Sequence, residues 1–261
     1  MTRKITTDYL RSWFHCPLQA ELGYRNGILP PTVIARGALA LAVNACIEDD
    51  IFYSSKLPKA WDQIWSKHML NMDMMTFTQI GVKFVETCSI VARVVNNALD
   101  SGWRFCGNAK GGGIGTYTIE LEPLIGSIGK DLVLAHDVDL TFAGPDGIVY
   151  LVTINTDRKV ELQEQRALLQ SVDIQLGSVI TSQNHGFPMR QALLHIGTEK
   201  IQNAVPGEYE YTRTLGWLSS VARAIKAKAF VQRGITTYGC SKCPVQAICD
   251  DSRVYHNLYK D

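Results

Sequence analysis

Three of the chain's seven cysteines are crowded into CSKCPVQAIC, residues 240–249, at the spacing C-x2-C-x5-C. No other feature constrains the fold as strongly, because thiols so placed call for a metal centre and such centres usually take four ligands. The best fourth ligand is Cys16 in FHCPLQ, more than two hundred residues upstream and also followed by proline. Cys16, Cys240, Cys243 and Cys249 then form a four-thiolate set able to hold zinc or an iron–sulfur cluster, and a fold that uses it must bring the chain ends together. The odd cysteine count argues against a disulfide framework. So does the opening MTRKITTDYLRSWFHCP, which lacks the apolar core and cleavage site of a signal peptide. Cys46, Cys88 and Cys106 lie in apolar surroundings and read as small buried hydrophobes.

Composition narrows the class further. With 46% hydrophobic and 20% charged residues, the chain is of ordinary globular make-up, and 261 residues suffice for one large domain or a domain with a subdomain. No run of eighteen apolar residues occurs, so no transmembrane helix is expected, and the chain reads as a soluble, cytoplasmic protein. A formal net charge of +1 gives no global attraction to nucleic acid or acidic lipid, so any such contact must come from a local patch.

Along the chain the first half is almost all helical by pattern. TTDYLRSWFHCPLQAEL starts at a Thr7–Asp8 cap and spaces Leu10, Trp13, Phe14, Leu18 and Leu22 as a helix, with a break or kink at Pro17. Residues 34–50 predict a second helix, and Lys59 to Leu99 predicts two more that meet near Asn71–Thr76. GNAKGGGIG (107–115) lacks the strand, lysine and hydroxyl of a phosphate-binding loop and reads as a connection into a hairpin. Residues 116–125, 130–142 and 147–156 then alternate as an antiparallel meander with GSIG and AGPDG as turns. A long helix is predicted from Val160 to Ser182, strands at 192–197 and 208–214, and a last helix over 215–234. The order predicts an α/β or α+β fold, a mixed β-sheet flanked by helices in a single domain: 1–106 mainly helical, 107–236 sheet and helix core, 237–261 the cysteine segment.

The one-plus-three cysteine arrangement, with Pro17 after Cys16 and Pro244 after Cys243, resembles the iron–sulfur branch of the PD-(D/E)XK nuclease superfamily. That branch includes RecB-like and AddB-like helicase-nuclease domains and the cluster-bearing CRISPR adaptation exonucleases. The resemblance runs over most of the chain: helical start, Arg-Gly-containing helix, meander, helix, late cysteines. It implies a restriction-endonuclease-like core whose termini are clasped by a 4Fe–4S cluster on Cys16, Cys240, Cys243 and Cys249, with zinc as the alternative. Such a clasp acts mainly by linking distant segments, since metal–thiolate bonds exist only when those segments meet.

The same resemblance implies a cation site that this sequence does not keep. The superfamily holds Mg2+ or Mn2+ with a carboxylate on one strand and an acid on the next, followed two residues on by a lysine; hard cations need those oxygens. The RecB-like branch adds an RG-x-x-x-H histidine and a helical glutamine. Here Arg36–Gly37 stands but Leu41 takes the histidine position. Asp139 matches the first aspartate, with Asp137 nearby, while Thr153 and Asn155 replace the acid and the lysine. Gln175 fits the glutamine, so Asp139 and Gln175 are the two vestiges. A shifted register offers Asp157-x-Lys159, with Glu161 or Glu164 nearby, at eighteen rather than fourteen residues from Asp139 and beyond the apolar strand.

Plainer readings accompany these residues. Asp137 and Asp139 alternate with Val138 and Leu140 and suit a solvated strand face, as do Glu120 and Glu122. His15 adjoins Cys16 as a substitute zinc ligand or a helix surface residue. Arg158, Lys159, Arg166, Arg223 and Lys226 are the candidate phosphate contacts, with Arg213, Lys228 and Arg233 close to the last two in sequence; Arg223 and Lys226 are neighbours on a helix face. The leading expectation is a catalytically degenerate nuclease-like protein that binds DNA or serves as a subunit of a replication, recombination or transcription complex. Alternatives are an active Mg2+- or Mn2+-dependent exonuclease using Asp139, Asp157 and Lys159, and a module that only docks protein. Departure this strong from the family motifs suits a virus or mobile element acting in a host cell.

Overall fold

In the computed structural model of the chain, the described residues are 2–49, 51–106, 115–156, 169, 171–183, 188–230, 245 and 248–249, without the side chains of His15, Leu70 and Asn71. The chain divides into two compact units: Met1–Pro30, Glu120–Leu134 and Gly216–Asp261 form the first, and Pro31–Ile119 with Ala135–Leu215 the second. The architecture is mixed α and β, with mixed sheets flanked by helices.

The chain opens with β1 (Arg3–Thr6), α1 (Thr7–His15) and α2 (Pro17–Asn26). The cap falls one residue earlier than the Thr7–Asp8 expectation: the Thr6 hydroxyl accepts the Tyr9 N–H at 3.0 Å. Pro17 acts as expected, ending α1 and starting α2, because proline lacks an N–H to donate and suits a first helical position. Next come α3 (Pro31–Ala45), the hairpin β2 (Ile47–Glu48) and β3 (Ile51–Phe52), α4 (Leu57–Trp65) and α5 (Met74–Asp100). The 34–50 helix thus stops five residues early, where the chain turns into the hairpin. The predicted break near Asn71–Thr76 is present: Asp73 caps α5 by accepting the Thr76 N–H at 2.8 Å.

After β4 (Arg104–Phe105) come β5 (Gly115–Glu120), the short α6 (Glu122–Ile125), β6 (Leu132–Val138), β7 (Leu140–Ala143) and β8 (Val149–Asn155). The three expected strand regions are present but do not make one meander: the first strand ends at Glu120, Glu122 opens a helical turn, and the expected strand over 130–142 breaks at Asp139 into β6 and β7, which belong to different sheets. The chain continues with α7 (Val172–Ser182), β9 (Met189–His195), β10 (Lys200–Asn203) and α8 (Glu208–Ala227). Ser171 precedes α7 with extended backbone; residues 160–168, where the helix was expected to begin, lie outside the described residues. The expected strand at 208–214 is the first third of α8. Its Tyr-Thr alternation suggests a strand, but Thr214, Leu218, Val221 and Ala222 are all buried at helical spacing, and that stripe extends the helix to Glu208.

Five strands of the second unit pair in the order β10-β9-β8-β7-β4. β7 and β8 are antiparallel, with Leu140 opposite Val152, whereas β8 and β9 are parallel, with Thr153 opposite Leu193. Parallel neighbours need a crossover, and α7 lies in that connection and packs on β9. One sheet face carries Leu140, Phe142, Val152, Ile154, Ala192 and Leu194 into the core shared with α3, α4 and α5. There Trp61 stacks on Trp65 and on Phe84. The other face places Leu193 against Ile174 of α7. A second sheet has the strand order β1-β6-β5.

Candidate functional site

β6 and β7 are one strand interrupted at Asp139. The register carries Asp139 to a position against Thr153, and the Asp139 N–H donates to the Val152 carbonyl at 3.0 Å. The Ile154 N–H is taken by Asp139 Oδ2, at 2.7 Å. Arg36 of α3 lies beside the same oxygen, with Nε 4.0 Å away. One turn further along that helix face is Ala40, and a turn beyond that Asn44, whose amide donates to the Ala40 carbonyl at 2.9 Å and to the Asp139 carbonyl at 3.1 Å. Asp139 is 5% exposed. The solvated-face reading of this residue is thereby overturned, because its carboxylate serves a backbone N–H and a buried guanidinium. Asp137 is placed differently: half-buried, it accepts the Thr116 hydroxyl at 2.6 Å.

Thr153, cross-strand from Asp139, is buried and neutral. Its hydroxyl accepts from Gln191 Nε2 at 3.0 Å, and the same amide donates to the Ala192 carbonyl at 3.1 Å. With both amide hydrogens in use, Gln191 Oε1 accepts from His136 Nε2, 3.0 Å away, so this histidine nitrogen carries the hydrogen. Asn155 ends β8, where its backbone carbonyl accepts the Ile196 N–H at 3.2 Å.

Gln175 is fully buried, and its role here is structural. Its amide donates to the Leu169 carbonyl at 2.7 Å and its carbonyl accepts the Thr214 hydroxyl at 3.2 Å, tying α7 to the start of α8. Leu41 is 51% exposed, while Arg36 on the same helix is buried. Gln191, His136, Asn44 and Thr214 were not singled out by sequence. The signal that finds the first two is a lone polar residue inside an apolar strand, as in MRQALLH and LVLAHDV, since such a residue must be hydrogen-bonded when buried.

Among the described residues this cluster does not make a ligand set for a divalent cation. Mg2+ and Mn2+ need several oxygen ligands, but the carboxylate of Asp139 is committed to a donor and a guanidinium, and its cross-strand neighbour is a hydroxyl. The shifted-register residues Asp157, Lys159, Glu161 and Glu164 lie outside the described residues, as do Arg158 and Arg166.

Of the four thiols, Cys16 and Cys249 are described and both are half-buried; Cys240 and Cys243 lie outside the described residues. Among the described residues no three His, Cys, Asp or Glu side chains gather as a metal site. Cys16 sits in extended conformation (φ −157°, ψ 112°) between α1 and α2, with its N–H donated to Ser12 and its carbonyl accepting from Ala20. The late chain packs on these same two helices within the first unit. Phe230 meets the Trp13 ring edge-on at 6.1 Å and lies beneath the Arg25 guanidinium, and Phe14 meets Trp217 at 5.0 Å. Val245, 2% exposed, lines a pocket of about 240 Å³ together with Thr6, Tyr9, Ala20 and Tyr24, and its carbonyl accepts the Cys249 N–H at 2.8 Å.

The same unit holds a buried charge. Glu21, 3% exposed, receives Arg3 and Arg25, the latter at 2.7 Å. Burial alone would push its carboxyl up, but the hydrogen bonds from the two guanidinium groups outweigh it and hold the group below its ordinary value. Burial pushes the neighbouring Tyr9 phenol up. Of the candidate phosphate contacts, Arg223 and Lys226 are exposed on α8, and Lys226 Nζ donates to the Ser127 carbonyl at 2.8 Å.

No protein-family model matches the chain, and no curated protein does so either. Among the described residues no single helix is long and apolar enough to cross a membrane.

Proposed function

We propose that the chain is a catalytically degenerate, iron–sulfur-bearing relative of the PD-(D/E)XK nucleases that binds DNA as an accessory protein of a nucleic-acid-processing complex. The observation that carries this reading is the pairing of Asp139 with Thr153 across β7 and β8. The strand arrangement supports the kinship: an antiparallel β7–β8 pair, a connection bearing α7, and β9 returning parallel to β8, with the Arg36–Gly37 helix against the sheet. Within that frame the position of the second acid is a threonine held by Gln191, and the lysine position is Asn155. Among the described residues such a frame brings no second carboxylate to Asp139 with which to hold a cation and activate water for phosphodiester cleavage.

The clasp is supported by the packing of Phe230, Trp217 and Val245 on α1 and α2, which brings the late chain to the helices that flank Cys16. Cys16, Cys240, Cys243 and Cys249 are the residues that would hold a 4Fe–4S cluster, zinc being the alternative. Its contribution is cross-linking of the two chain ends, with bonds that form only in the folded state. DNA contact falls to exposed cations such as Arg223, and salt should weaken it.

The test is incubation of the full-length protein with labelled single- and double-stranded DNA and Mn2+. Salt-sensitive binding without cleavage is the expected result. Cleavage abolished by Asp139→Ala would overturn it in favour of the shifted-register exonuclease. A second reading, docking of protein alone, has one specific observation behind it: Met74, Met75, Val82 and Val85 form an exposed apolar stripe on α5. Absence of DNA affinity at low salt would favour that reading.

A further inference from the structure

We infer that the chain's polyanion-binding surface, the one that takes DNA phosphates, is a basic face of the first unit made by β1, the turn over 126–131 and the end of α8. The second unit, which holds Asp139, takes no part in the contact. The inference rests on the DNA-binding reading and names the surface that serves it.

Charge is divided unevenly between the two units. The chain as a whole has a formal net charge of +1, too small to draw a polyanion. The first unit, however, carries twelve lysines and arginines against eight aspartates and glutamates, a net of +4. The second carries fourteen against seventeen, a net of −3. Near-neutrality is thus a cancellation: one unit attracts phosphate and the other repels it. Local contacts then gather part of the first unit's positive charge. Lys226 Nζ donates to the Ser127 carbonyl at 2.8 Å, and the Lys130 N–H donates to the same carbonyl at 3.3 Å, so a lysine of α8 and a lysine of the turn share one acceptor. The carbonyl of the next residue, Asp131, accepts the Arg3 N–H at 2.9 Å, which sets Lys4 of β1 beside that turn. Arg223 lies one turn before Lys226 on α8, and Lys228 directly follows the helix. All five cations, Lys4, Lys130, Arg223, Lys226 and Lys228, are exposed. Among the described residues none of them is in an ion pair, whereas Arg3 and Arg25 are engaged by Glu21 and Arg11 by Asp8. The exposed acids of the same stretch are Glu120, Glu122 and Asp131, so cations remain in excess. Hydrated, unpaired cations of this kind bind phosphate by releasing its counterions, and no internal contact has to break.

The experiment measures retention on heparin and affinity for labelled DNA, both against salt, for the full-length protein and two variants. One combines Lys4→Gln, Lys130→Gln, Arg223→Gln and Lys228→Gln; Lys226 is kept because it holds the turn. The other combines Arg158→Gln, Lys159→Gln and Arg166→Gln in the second unit. The first-unit variant should leave heparin at lower salt and bind DNA at least about tenfold more weakly, with the slope of log affinity against log salt reduced by about three. The second-unit variant should stay within about twofold of wild type. A first-unit variant that folds and keeps wild-type affinity and slope overturns the inference, as does loss of affinity in the second-unit variant. Should the fourfold variant fail to fold, Lys130→Gln and Arg223→Gln singly decide, each expected to lower the slope by about one. Retention on heparin through these residues without DNA affinity at low salt would sink the DNA-binding reading while the basic face stands. Wild type that heparin does not retain sinks the face itself.

Discussion

The Asp139 carboxylate accepts the backbone N–H of Ile154 at 2.7 Å, filling the place of a strand carbonyl at the point where β6 and β7 break. Asp139, which the proposed nuclease kinship would make a metal ligand, is therefore a component of the sheet. Removing it leaves the Ile154 N–H buried without this acceptor and takes a carboxylate from beside the buried Arg36 guanidinium. Asp139→Ala should cost about 3–5 kcal/mol by urea denaturation. Asp139→Asn, which keeps a carbonyl oxygen for Ile154, should cost less. Equal stability of wild type and Asp139→Ala would contradict this assignment.

Gly177 of α7 has no room for a side chain. A Cβ there would fall 2.4 Å from Gln191 Oε1, inside the His136–Gln191–Thr153 network. Gly177→Ala should destabilise by about 1–3 kcal/mol. Part of that loss should vanish in a Gln191→Ala background, where the obstructing amide is gone. A double-mutant cycle on thermal unfolding reads the coupling, and simple additivity would argue against the contact.

Glu21 sets a pH dependence in the first unit. Its folded carboxyl titrates below the ordinary value because Arg3 and Arg25 bond the ionised form more than burial opposes it. The resulting stabilisation is fully present above the unfolded carboxylate value and is lost as pH falls through the lower folded one. Glu21→Gln should therefore destabilise the chain at pH 7, by about 1–3 kcal/mol. That difference should shrink as pH drops below about 4. A difference that grew towards acid would have the wrong sign.

Cys88 and Cys46 are fully buried, and burial pushes the Cys88 thiol up to about 12 and raises that of Cys46. Neither forms appreciable thiolate at pH 8, so neither should react with a thiol reagent in the native protein. Both should react once the chain is unfolded in urea. Mass mapping of the modified peptides separates them from the other cysteines, and rapid native modification of Cys88 would contradict its place in the core.

Much of this molecule was legible because hydrophobic period and local capping agree. Pro17 marks a real helix start, the expected break near Asn71–Thr76 is present, and alternation marks strands within 116–125, 130–142 and 147–156. The errors have identifiable physical sources. In EYEYTRT the Tyr-Thr alternation imitates a strand, whereas burial of Thr214 in line with Leu218 and Val221 makes it helix. Strands β1 and β10 carry too few residues for a period to show. At the candidate site the sequence pointed to Asp139, Thr153 and Asn155 as a set. It did not reveal that Asp139 turns inward, because that depends on the Ile154 N–H that its carboxylate accepts and on Arg36, which is more than one hundred residues away in sequence. Nor did it reveal Gln191 or His136, whose significance lies in their pairing across strands.

The most direct measurement is the metal and acid-labile sulfide content of anaerobically purified full-length protein, beside Cys16→Ser. A brown preparation with broad absorption near about 400 nm and about four irons per chain, both lost with Cys16→Ser, is the expected result. A colourless protein holding zinc or no metal, or a cluster indifferent to Cys16, would contradict it.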